Sequence, residues 1–110
     1  MNYQDASETV ALGSMSEKAE GVAEFLKGLA SPHRLLVLCA LAQGEKTVGE
    51  LIAQTGIAPT SMSQHLAKLK AEGIVDARRE HRNLHYAIAH PAVLELMAVL
   101  YAHFCQGDEA

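Results

Sequence analysis

Two short helices, each opened by a start signal and closed by a glycine, stand back to back in the middle of this chain, and an alternating pair of strands follows at once. Thr47 and Glu50 make a capping box, which opens a helix that turns Val48, Leu51 and Ile52 inward and stops at Gly56. Pro59 starts the next helix. Up to Glu72 it gathers Met62, Leu66 and Leu69 on one face and Ser61, Gln64, His65 and Lys68 on another, at steps of three and four. Gly73 ends it, and Ile74-Val75-Asp76-Ala77-Arg78 and Leu84-His85-Tyr86-Ala87-Ile88 alternate as two strands around a polar turn over residues 79–83. Two capped helices across a tight Gly-containing turn restrict this stretch to a helix-turn-helix, and the hairpin behind them makes it a winged one. In such a pair the second helix is the one shaped to enter a major groove.

The flanking sequence supplies three more helices' worth of signals and little else. Residues 1–13 are polar and without periodicity, and are given no fixed structure. Ser14 and Glu17 form a second capping box, and Val22, Phe25, Leu26 and Leu29 follow at helical spacing, so a first helix is expected over about residues 16–30. Ser31-Pro32 restarts the chain, and Leu35, Leu36, Leu38, Cys39, Leu41 and Ala42 make a helix apolar nearly all round, expected to end at Gly44 and to form the buried centre. His90-Pro91 opens a last helix whose stripe of Val93, Leu96, Met97, Leu100, Tyr101 and Phe104 is broader than one small domain needs. That surplus predicts a dimer surface. The expected fold is mainly α with a small β-hairpin, in the order α-α-α-α-β-β-α. A flexible segment over residues 1–13 and a flexible tail over 106–110 should flank a single domain at 14–105.

A length of 110 residues suits one compact domain, and 49% apolar residues without a tryptophan require a core of Leu, Val, Ile, Ala and Met. No apolar run nears the roughly 20 residues that span a bilayer, and the first residues lack a signal peptide's pattern. A cytoplasmic protein without a membrane partner is expected. A net charge of −4 argues against nucleic acid at first sight. Its distribution argues the other way. Over residues 65–82 the basic Lys68, Lys70, Arg78, Arg79 and Arg82 outnumber Glu72, Asp76 and Glu80, while acid collects elsewhere.

On that surface Gln64 has the paired donor and acceptor that can read a base edge, and Thr60, Ser61 and Ser63 can reach bases or phosphates. His65 and Lys68 would add a base or phosphate contact, and Arg79 and Arg82 at the wing turn would reach a minor groove or the backbone. Lys70 fits a solvated charge. The bland alternative is that this is only the wet side of an amphipathic helix. Enzymatic activity is not expected, because no Cys-His or Ser-His-Asp arrangement, phosphate loop or paired acidic site is present.

Five segments agree in order and spacing with one known family. Leu29-Ala30-Ser31-Pro32-His33-Arg34-Leu35, Thr47-Val48-Gly49-Glu50-Leu51, Ser63-Gln64-His65-Leu66-Ala67-Lys68-Leu69, Glu72-Gly73-Ile74-Val75 and Arg78-Arg79-Glu80 together resemble the ArsR/SmtB winged-helix repressors over residues of about 17–105. The resemblance implies a homodimer paired through the first and last helices, bound to double-stranded operator DNA and released by an inducer.

Cys39 and Cys105 are the only cysteines. Metal-responsive members of the family place a cysteine pair on the third helix or ring the last helix with His, Asp and Glu, and this chain has neither pattern. A metal wants several thiolate or imidazole ligands converging, so no metal site and no cofactor are expected. A cysteine in the second helix and another closing the last is similar to the BigR, SqrR and HlyU-type branch. That likeness implies redox sensing by Cys39 and Cys105, with reactive sulfur species such as persulfide or polysulfide, or oxidation, joining the two thiols. Three alternatives stay open beside it: buried cysteines that merely pack, a metal-responsive repressor using both cysteines and a histidine, and a winged interaction module that does not read DNA.

Overall fold

The computed structural model describes residues 6–105, with side chains from residue 12 onward. Five helices, α1 (Ala6–Leu29), α2 (Pro32–Leu41), α3 (Val48–Thr55), α4 (Pro59–Ala71) and α5 (Pro91–Phe104), combine with three strands, β1 (Lys46–Thr47), β2 (Val75–Glu80) and β3 (Asn83–Ile88). The strands form an antiparallel sheet in the order β1-β3-β2.

The start and stop signals of the central helices act as their chemistry requires. Thr47 Oγ1 accepts from the Glu50 N–H at 3.2 Å while Glu50 Oε1 accepts from the Thr47 N–H at 2.8 Å, which satisfies two N-terminal donors of α3 at once. Gly56 closes α3 in the left-handed region at φ 75°, where a side chain would strain the backbone. The Thr55 hydroxyl then donates to the Leu51 carbonyl and accepts from the Ile57 N–H, so the turn into α4 is pinned on both sides. Ser31 caps α2 through the Arg34 N–H, and His90 Nδ1 accepts from the Ala92 N–H at the head of α5.

Val37 and Leu38 of α2, Leu51 of α3, Met62, Leu66 and Leu69 of α4, Ile74, and Val93 of α5 are fully buried in one cluster. Each large side chain removed from water there stabilises the fold by about 1.5–3 kcal/mol. The period-3.6 face of α4 read from the sequence is therefore its core face, which commits the opposite face to solvent.

Four expectations need correction. Helix α1 begins at Ala6 instead of near residue 16, and Ser14 and Glu17 lie inside it, because Ala6, Glu8, Ala11 and Leu12 ahead of them favour helix and no proline interrupts the run. Residues 1–5 and the expected tail at 106–110 fall outside the described residues. Helix α2 stops at Leu41, before Gly44, and its centre is buried on one side only: Leu35 and Leu36 are 37% and 48% exposed. The sheet has a third strand, β1, too short for any alternation to announce it. The wing turn is tighter than residues 79–83: β2 runs to Glu80, Glu80 pairs with Asn83, and His81 takes φ 60° in a two-residue bend, leaving Arg79 in the strand.

Helix α1 is little covered by the rest of its own chain. From residue 12 onward only Phe25, Gly28 and Leu29, near its C-terminal end, are shielded, while Leu12, Met15, Val22 and Leu26 are exposed. The radius of gyration is accordingly 16.6 Å, against about 13 Å for a compact chain of this length.

Candidate nucleic-acid interface and thiol pocket

The expected contact residues on α4 do share one solvent-facing side. Thr60, Ser63, Gln64 and Lys68 are exposed, whereas Ser61 and His65 are half-buried at the edge of that face. The first turn of α4 follows Ala58, which offers no side-chain cap, so its free N–H groups stand beside the Thr60 and Ser61 hydroxyls. Lys68 lies 3.3 Å from Glu72 one turn on, so its charge is partly balanced.

His65 is held from behind. Arg34 Nε donates to His65 Nδ1 at 3.3 Å, and the His33 ring meets the His65 ring edge-on at a centroid distance of 5.4 Å. Burial, with the Arg34 and His33 charges adding, pushes the His65 imidazole below its usual range, so it is neutral at pH 7. Arg34 Nη1 also donates to the Gly28 carbonyl at 3.1 Å, in the last turn of α1. Sequence reasoning gave Arg34 no role, although an arginine in an otherwise apolar helix was a signal that it had one.

The wing's arginines divide into two kinds. Arg78 is neutralised in place: Nε and Nη2 grip the Glu45 carboxylate at 2.9–3.1 Å, and Nη1 donates to Glu80 at 3.1 Å. These contacts draw the Glu45 carboxyl below the ordinary glutamate range and the Arg78 guanidinium above its own. Arg79 and Arg82 are exposed and make no ion pair among the described residues. The net positive excess counted along residues 65–82 thus reduces to a few free cations at the wing and on α4.

Cys39 and Cys105, far apart in sequence, open onto the same cavity between α2 and α5, with a volume of about 500 Å³. Leu35, Leu36, Met97, Leu100 and Phe104 line it with them, and both cysteines are free thiols, half-buried. Cys39 comes from the last turn of α2, and Cys105 is the C-cap residue of α5, where its N–H still donates to the Tyr101 carbonyl. Among the described residues no three His, Cys, Asp or Glu side chains come together in a way that could hold a metal ion. No described helix is long and apolar enough to cross a membrane.

In sequence and in fold the chain is similar to known proteins. A family model described as bacterial regulatory protein, arsR family, matches residues 31–77, which run from the cap of α2 into β2. The biofilm growth-associated repressor of Agrobacterium fabrum is 44% identical over 100 residues, covering 91% of this chain and 86% of that protein. The crystal structure of the transcriptional repressor BigR from Xylella fastidiosa superposes with a TM-score of 0.78 at 39% identity, over 84% of this chain and 95% of that one. A homodimeric winged helix-turn-helix DNA-binding domain from Mycobacterium bovis, described as a possible ArsR-family regulator, superposes with a TM-score of 0.69 at 34% identity, over 99% and 94%.

Proposed function

The chain belongs to the arsR family of bacterial regulatory proteins, and we propose that it is a homodimeric DNA-binding transcriptional repressor whose hold on its operator is released when Cys39 and Cys105 are crosslinked. The convergence of both thiols on one apolar cavity carries the release half of this reading. Two thiols 66 positions apart in the sequence that face one cavity are placed where a sulfur bridge could join α2 to α5.

DNA reading is supported by the exposed polar face of α4 and by the free Arg79 and Arg82 on the wing beside it. Gln64 would read a base edge, with Thr60, Ser61, Ser63 and His65 completing the contacts and Lys68, Arg79 and Arg82 serving phosphates or the minor groove. Dimerisation is supported by α1, a helix of 24 residues that from residue 12 onward buries only its C-terminal end within its own chain, and by exposed Leu94, Val99 and Phe104 on α5. A helix so little packed gains most of its stability from a partner surface. Two wings and two recognition helices would then address half-sites about one helical turn apart.

Reactive sulfur is the inducer class that two thiols on one cavity serve best. One thiolate attacks the sulfane sulfur of a persulfide RSSH, RS⁻ leaves and takes up a proton, and the protein carries a persulfide. The second thiolate attacks its inner sulfur, HS⁻ leaves, and α2 and α5 are tied by a disulfide; further sulfane atoms would lengthen the bridge. The sulfane sulfur is the oxidant throughout.

Intact-mass measurement and peptide mapping of reduced protein, treated anaerobically with a persulfide donor and in parallel with a disulfide oxidant, test this directly. A crosslinked Cys39–Cys105 peptide that coincides with loss of operator binding is expected. Cys39→Ser and Cys105→Ser proteins should bind operator and no longer release it, and a variant that still releases refutes the mechanism.

A further inference from the structure

We infer that Arg34 is a positioning residue of the DNA-reading surface: one guanidinium fixes the tautomer of His65 on the recognition helix and ties that helix to the end of α1. The inference rests on the reading of α4 as the helix that meets DNA.

Arginine is protonated throughout and has donors only. When its Nε–H points at His65 Nδ1, at 3.3 Å, that nitrogen must present its lone pair. The ring proton then resides on Nε2, and the imidazole is a neutral donor rather than a cation. The other arm of the same guanidinium, Nη1, donates to the Gly28 carbonyl at 3.1 Å, one of the α1 C-terminal carbonyls that have no partner within their own helix. Three helices therefore share one rigid, planar group, which a lysine's single point donor cannot reproduce. The ends of α1 and α4 also approach closely beside it: a side chain added at Gly28 would run into the carboxylate of Glu72, the C-cap of α4.

The functional content is a choice of DNA acceptor. An Nε2–H donor suits a phosphate oxygen or an acceptor on a purine edge in the major groove. The opposite tautomer would offer an acceptor there and be repelled by those same groups. His33, whose ring meets His65 edge-on from α2, limits the ring's rotation and completes the seat.

Long-range ¹H–¹⁵N spectra of the full-length reduced protein at neutral pH, with histidines assigned by substitution, test the tautomer. Wild type is expected to show His65 protonated at Nε2 only, and Arg34→Met to show a mixture of tautomers, partly restored in Arg34→Lys. Operator binding, measured on a duplex selected by the wild-type protein, is expected to weaken about tenfold in Arg34→Met and about as much in His65→Ala. The double variant should be scarcely weaker than either single one, because both remove one shared contact. A wild-type His65 protonated at Nδ1, or two substitutions whose effects multiply, overturns the inference, and the wild-type spectrum decides even if Arg34→Met does not fold. A wild-type protein that selects no duplex at all overturns the DNA reading itself and leaves the tautomer result standing, so the two failures are told apart.

Discussion

The division of the wing's arginines predicts how operator binding should depend on salt. Each phosphate neutralised by a side chain contributes about −0.9 to the slope of log K against log salt on duplex DNA. A dimer presents Arg82 twice, so Arg82→Gln should flatten the slope by about 1.8. Between about 50 and about 200 mM salt that is roughly a tenfold smaller loss of affinity than wild type suffers over the same range. Arg78→Gln should leave the slope unchanged. Its guanidinium is already held by Glu45 and Glu80 at 2.9–3.1 Å, with a two-point grip on Glu45. Isolated surface ion pairs are weak, but a forked arginine on a carboxylate, shared with a second one, is the geometry in which they hold. Glu45→Gln should therefore steepen the slope by setting Arg78 partly free. Fluorescence anisotropy of a labelled selected duplex, titrated at several salt concentrations with reduced protein, reads all three variants. An Arg78→Gln protein whose slope falls as far as that of Arg82→Gln would show that Arg78 trades its carboxylates for phosphate, and the division of the wing would be wrong.

Removing the α3 cap should act on stability: Thr47→Ala deletes the hydroxyl that accepts from the Glu50 N–H, keeps the backbone N–H that donates to Glu50, and is expected to cost about 1 kcal/mol, seen as a lower urea midpoint with an unchanged slope. Unaltered stability would mean that packing of Val48 and Leu51 alone sets where α3 begins. The dimer surface can be challenged at Leu26, 47% exposed in the single chain: Leu26→Glu should convert a dimer into a monomer in sedimentation at micromolar concentration. A wild-type protein that already sediments as a monomer would remove the role given to the bare face of α1.

What could be read from the sequence was whatever local chemistry enforces. The Thr47 and Glu50 box, Gly56 in the left-handed region, Pro59 at a helix start and the Met62, Leu66, Leu69 face are set by contacts a few residues apart, and all stand as expected. Errors arose where a local signal is permissive. Ser14 and Glu17 can open a helix, yet the same residues sit quietly inside one, and the choice falls to the residues ahead of them. The neutralisation of Arg78 by Glu45 spans 33 positions, and Arg34 reaches His65 across 31, so neither has any signature along the chain. The two cysteines are the mixed case. Their helices were readable from local signals, while their meeting was implied only by the family likeness, because it depends on how α5 folds back over α2.

Helix α2 is the element on which the two halves of the proposal converge. Arg34 and Cys39 are five residues apart, a separation of about 140° around a helix, so they occupy largely opposed sides. One side looks across the thiol cavity to α5, and the other holds the recognition helix and the end of α1 through a single guanidinium. A bridge of fixed length between Cys39 and Cys105 constrains one side of α2 against α5. A ten-residue helix with a packed centre answers such a constraint by shifting as a unit, since its own hydrogen bonds resist bending. The first polar contact to feel that shift would be the long Arg34 to His65 bond at 3.3 Å, which has little distance to lose before it ceases to hold the ring.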